Sequence, residues 1–143
     1  MARLSVNDLN NLSGINDESI DYLLKSFNEA YKLLFSAANR WLTVYNNKLR
    51  GVFSIGTKYE KYKEAKSLYY AGSNLCIDLD LFFEYTNEYI SLMHSLRIDS
   101  SKITKYKAAL LRLYGSIKDK MQGCFLIYDT AYKDINDEEE NYG

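Results

Sequence analysis

Proline is absent from this 143-residue chain. Without it, no position loses its backbone donor or clashes with the preceding turn, so long uninterrupted helices are permitted. Glycine is scarce too, and most of the seven glycines fall at the ends of apolar-periodic segments. Cysteine occurs only at Cys76 and Cys124, which excludes a disulfide framework and leaves no zinc-type spacing. Both sit at apolar helical positions without a neighbouring histidine, the setting of buried structural thiols. The single histidine, His94, provides no Ser-His-Asp arrangement. Glu88 precedes it by six residues, which misses the Glu-x-x-His spacing of di-iron bundles. No glycine-rich loop carries the lysine of a phosphate cradle. The expectation is a non-enzymatic protein with no cofactor and no metal.

No apolar run approaches the ~20 residues of a membrane span. Residues Met1 to Ser5 lead into Asn7 and Asp8 rather than into the apolar stretch of a leader. The expected compartment is a reducing cytoplasm, bacterial or of an infected host, or the interior of a virus particle. Hydrophobic residues at 47% and a net charge of −1 exclude a disordered chain.

What the chain has in quantity is tyrosine, at 14 residues. Abundant Asn, Lys, Tyr and Ile suit an AT-rich genome, such as that of a low-GC bacterium or its phage. Apolar residues recur at Ile20, Leu24, Phe27, Tyr31, Leu34, Ala38, Trp41 and Tyr45, in steps of four and three. That is a heptad seam and predicts a helix over about 17–49, capped by Asn16 or Asp17. A second seam runs through Ala65, Leu68, Gly72, Leu75, Leu79, Phe82, Thr86, Tyr89, Met93 and Leu96. It predicts one helix over about 58–97, with a break at Gly72-Ser73 as the alternative, since a mid-helix glycine costs only ~1 kcal/mol. Caps among Asp99, Ser100 and Ser101 open a third helix over about 100–135, striped by Ile103, Leu110, Tyr114, Ile117, Met121, Cys124, Tyr128, Ala131 and Ile135. Short connections and matched lengths make this an all-α, elongated, coiled-coil-like antiparallel bundle. A short N-terminal helix ends at Gly14. Residues 1–136 form one domain, and 137–143 an acidic C-terminal tail.

Two features suggest a protein partner. The loop Gly51–Gly56 carries Val52, Phe53 and Ile55, which either close the end of the bundle or insert into another protein. The run Cys124 to Tyr128 is apolar on every face and predicts burial all round, so Phe125 and Leu126 need a cover from outside the three helices. The expectation is a structural or adaptor protein acting through protein–protein contacts, a homo-oligomer or a subunit of a larger assembly such as a phage virion. The alternative is a small nucleic-acid-associated or regulatory protein. Lys58, Tyr59, Tyr62, Lys66, Tyr69 and Tyr70 interleave cations with aromatics on one side of a helix, as single-strand binders do. Glu60, Glu64 and a pI of about 5.9 weigh against it.

Charge is unevenly spread. Residues 72–99 hold five acids against Arg97, and residues 100–133 hold seven cations against Asp119 and Asp129. Pairing between adjacent helices is the simplest use of that contrast.

Overall fold

The computed structural model describes residues 17–50 and 58–142, and their fold is an all-α bundle. Helix α1 spans Asp17–Tyr45 and closes on a π-helical turn, Asn46–Arg50. Helix α2 spans Lys58–Ser95, and α3 spans Ser101–Tyr142. Among the described residues there is no strand. The helix expected before Gly14 and the loop bearing Val52, Phe53 and Ile55 lie outside the described residues.

The heptad seams become the core. Phe27, Leu34 and Trp41 on α1 are buried, as are Ala65, Leu68, Leu79, Phe82, Thr86, Tyr89 and Met93 on α2. On α3 the buried residues Ile103, Leu110, Ile117 and Cys124 follow one another at seven-residue steps. Fully burying one large apolar side chain stabilises the fold by roughly 1.5–3 kcal/mol.

Each of the two compact units takes one stretch of every helix. In the unit built from residues up to 37 and from 77–113, Phe27 packs on Phe82 and Tyr89 with ring centroids 6.0 and 5.0 Å apart. Tyr31 stacks on Tyr106 at 4.6 Å, and the Tyr106 hydroxyl donates to Asn28 Oδ1. Buried Thr86 donates to the Phe83 carbonyl, which satisfies its hydroxyl. Between the acidic and basic segments Lys107 donates to Asn87, an amide rather than a carboxylate. In the unit built from residues 38–76 and 114 onward, Trp41 Nε1–H donates to the Leu68 carbonyl at 2.9 Å. An exposed ion pair, Lys48–Glu64, joins α1 to α2 there. In both units α2 runs antiparallel to α1 and α3.

Helix α2 is continuous through Gly72, so the expected single helix forms and the alternative break does not. Gly72 is buried, and a Cβ built on it would lie 2.9 Å from Met121 Cγ and 3.1 Å from Trp41 Cζ2. Close packing of α1 and α3 against the bare backbone offsets the conformational cost of glycine here.

Helix α2 ends at Ser95, two residues before its expected end, because the chain turns left-handed at Arg97, where φ is 57°. Ile98 N–H donates to Met93 O and Arg97 N–H to His94 O, the paired bonds of a Schellman terminus. Leu96, expected in the seam, is consequently exposed. Helix α3 starts on caps: Ser101 N–H and hydroxyl both donate to the Asp99 carboxylate, which these bonds hold below its usual range. Helix α3 also runs past its expected end at 135 to Tyr142, so its backbone is helical through the acidic run. No proline or glycine interrupts the chain between Ile135 and Tyr142.

Three substitutions test the backbone at Gly115, Gly72 and Arg97. Alanine in a helix is worth up to about 1 kcal/mol over glycine. Gly115 has open space around its Cβ position, so Gly115→Ala should raise thermal stability by that order. Gly72→Ala should instead lower it by about 1 kcal/mol, because the hydrogen-bonded Trp41 ring cannot retreat. Equal stabilisation of both variants in a denaturant titration would refute the packing account of Gly72. Arg97→Gly should add about 1 kcal/mol by relieving the left-handed conformation. An unchanged or lower midpoint would show that Arg97 carries no such strain.

Candidate functional site

The α2–α3 face of the second unit gathers residues that lie far apart in sequence. Along α2, Tyr59, Tyr62, Lys66 and Tyr69 follow at steps of three and four, which places them on one side of the helix. Along α3, Lys118, Gln122 and Phe125 do the same, with Met121 and Leu126 flanking them. The two rows meet through aromatic rings. Tyr62 is stacked on both Tyr59 and Tyr128, at 6.3 and 5.2 Å between centroids. Phe125 touches both Tyr128 and Tyr69, and Tyr69 meets Tyr70 edge to face. Six rings thus form one connected string.

Beside this string is an open groove of about 480 Å³, lined by Tyr69, Lys118, Met121, Gln122, Phe125 and Leu126. Its floor is Met121, whose thioether lies against Gly72 and accepts from the Cys76 thiol at 3.8 Å. Its outer wall is open to solvent, with Leu126 64% and Phe125 45% exposed. The run Cys124–Tyr128 is therefore not buried all round, as its composition suggested. Cys124 faces the core, while Phe125 and Leu126 occupy a surface that three helices leave uncovered.

Lysines surround the rings. Lys63 Nζ sits 4.7 Å from the Tyr59 centroid and Lys66 Nζ 5.6 Å from that of Tyr62, both cation–π contacts. Hydrogen bonding to the Tyr62 hydroxyl holds the Lys66 ammonium above its ordinary value, and loss of hydration raises the Tyr128 phenol. Lys118 lies over the Tyr114 ring and reaches the groove.

The structure brings together residues the sequence divided between two readings. Phe125 and Leu126, assigned to a protein partner, share this face with Tyr59, Tyr62, Lys66, Tyr69 and Tyr70, assigned to nucleic acid. Lys58 opens α2, and its side chain lies outside the described residues, as do Val52, Phe53 and Ile55. Tyr128, Lys118, Met121 and Gln122 were not singled out for the site. The spacing 118, 122, 125 and 129 was the available signal for an outer stripe on α3, and it was masked by the stronger seam through Ile117 and Cys124.

The groove offers an amide, one ammonium, one phenol and apolar surface. Among the described residues no group of three His, Cys, Asp or Glu side chains could hold a metal ion. Nor is any described helix long and apolar enough to cross a membrane. No protein-family model, curated protein or solved structure matches the chain.

Cys76 and Cys124 are buried thiols, and burial pushes that of Cys124 up to about 11. Both should therefore react with a thiol reagent such as DTNB only as fast as the bundle opens; rapid labelling at neutral pH would contradict their burial. In the unfolded chain Cys124 ionises near 9.0. Between about pH 9 and 11 the folded chain holds the extra proton, so stability should fall as pH rises through that window. Cys124→Ala should make the fall shallower. Identical slopes for the two proteins in denaturant titrations would remove Cys124 as its source.

Proposed function

We propose that this chain is a non-enzymatic structural or adaptor protein whose α2–α3 face binds another protein. The carrying observation is the groove with Phe125 and Leu126 open to water beside a string of six aromatic rings. Solvent-exposed apolar side chains gathered on one concave, aromatic-rich surface are the composition of a protein interface core. Lysines at its edge supply a polar rim.

The nucleic-acid reading has the same residues and a weaker fit. Base stacking needs a free ring face. Here Tyr62 stacks on Tyr59 and Tyr128, and lysine ammonium groups sit over Tyr59 and Tyr62. Tyr59 and Tyr62 thus engage their faces with other rings and with cations of the same chain. That arrangement presents edges and apolar walls, which suit side chains better than bases.

The experiment is to measure the mass of the chain as recovered from its native source under non-dissociating conditions. The expected result is a complex well above the 16.6 kDa monomer. Replacing Phe125 and Leu126 with Asp should reduce that mass while leaving helicity and melting temperature nearly unchanged, because both side chains are exposed. A native species of monomer mass would overturn the proposal. Anisotropy titration with single-stranded oligonucleotides at low salt checks the other reading: tight, steeply salt-dependent binding would install it instead.

A further inference from the structure

We infer that the groove receives the acidic C-terminal end of α3 from a second copy of this chain. The inference rests on the reading of this face as a protein-binding surface and names its occupant. Charge is the first ground. Lys118 lines the groove, and Lys63 and Lys66 stand over the Tyr59 and Tyr62 rings on the same face, while Asp137-Glu138-Glu139-Glu140 is the one run of four acids in the sequence. Each half would be self-repelling if gathered alone, and they complement each other when joined.

The second ground is the form of the acidic segment. Its backbone is helical to Tyr142. Ile135 and Tyr142 are seven residues apart in the sequence, a spacing that assigns both positions to one side of a helix whose intervening residues are all polar. An amphipathic helix end with apolar anchors at that spacing is the usual ligand of an apolar groove.

Reach excludes the chain's own groove. The acids begin fifteen residues beyond Gln122 on the same helix, about 23 Å away at 1.5 Å per residue. A continuous helix cannot fold that end back. Helix α2 begins only four residues before Tyr62, whereas Tyr128, its stacking partner, stands fourteen residues before the end of α3. The end of α3 thus extends about ten residues past the start of α2. Donor and receptor are different surfaces, so the contact is head-to-tail and adds copies in line instead of closing a two-fold dimer.

Sedimentation of the purified full-length chain tests this. The wild type should show a weight-average mass that rises with concentration above 16.6 kDa at low salt and returns towards the monomer in about 1 M NaCl, where screening acts within ~3 Å. A groove variant, Phe125→Asp with Leu126→Asp, and an end variant, Glu138→Lys with Glu139→Lys, should each associate at least tenfold more weakly. Mixed in equal amounts, they should form a dimer that grows no further, because one chain keeps an intact end and the other an intact groove. Circular dichroism confirms that each variant is folded; should the groove pair fail to fold, Lys118→Glu replaces it. A wild type monomeric at every concentration, an end variant that still assembles, or a mixture that stays monomeric would each overturn the inference. A purified monomer that is nevertheless part of a larger native complex would overturn the second copy as occupant and leave the protein-binding face standing. Monomer in both settings would overturn both.

Discussion

The fold depends on a seven-residue recurrence of buried side chains shared by three helices. Phe27, Leu34 and Trp41 carry it on α1, Ala65, Gly72, Leu79, Thr86 and Met93 on α2, and Ile103, Leu110, Ile117 and Cys124 on α3. Seven residues are close to two turns, so each set stays on one side of its helix over several heptads. The absence of proline lets the recurrence run unbroken, and the small members at positions 65, 72, 86 and 124 leave room for the large ones facing them. Large and small residues set against each other fill a core at native density without forcing side chains off their rotamers.

Gly72 links that core to the α2–α3 face. Because it lacks a Cβ, Met121 packs against the backbone of α2 and Trp41 donates to the carbonyl one turn earlier, at Leu68. Met121 then has one side against Gly72 and Cys76 and its other side forming the groove floor. A larger residue at position 72 would push Met121 outward into the groove. A glycine on the opposite helix thus bears on a residue that lines the groove, and a change in the core becomes a change at the surface.

Most of the fold was legible in the sequence because a heptad seam is a local and repeated signal. The single helix through Gly72 was legible for the same reason: the register on either side of it is unbroken. Where the seam thins, the reading loses accuracy. Leu23 is buried where Leu24 was expected, a one-residue drift at the start of α1. The end of α2 depends on one left-handed residue, Arg97, and nothing in an arginine announces that conformation as a glycine would. The end of α3 was placed at its last apolar residue, although a helix needs no apolar stripe to continue. At the candidate site, both rows of residues could be seen separately, on α2 and on α3. Their meeting could not, since it depends on the antiparallel register that puts Tyr62 against Tyr128.

Exposure of an apolar residue is by itself ordinary, and Leu33 and Ile77 are as exposed as Phe125 and Leu126. What separates the latter pair is continuity. Phe125 is the hinge of the string, touching Tyr69 on one side and Tyr128 on the other, and Leu126 extends the same wall around the groove. A partner that covers one of these side chains must also cover its neighbours, so the desolvation gains arrive together and on one surface. The rings are already held by their stacking and by the lysines over them, so binding has little side-chain freedom left to remove there. A rigid, contiguous, apolar wall with cations along its edge differs in this respect from scattered leucines of equal exposed area, and it is the arrangement of these residues, more than their number, on which the proposal of a protein-binding face rests.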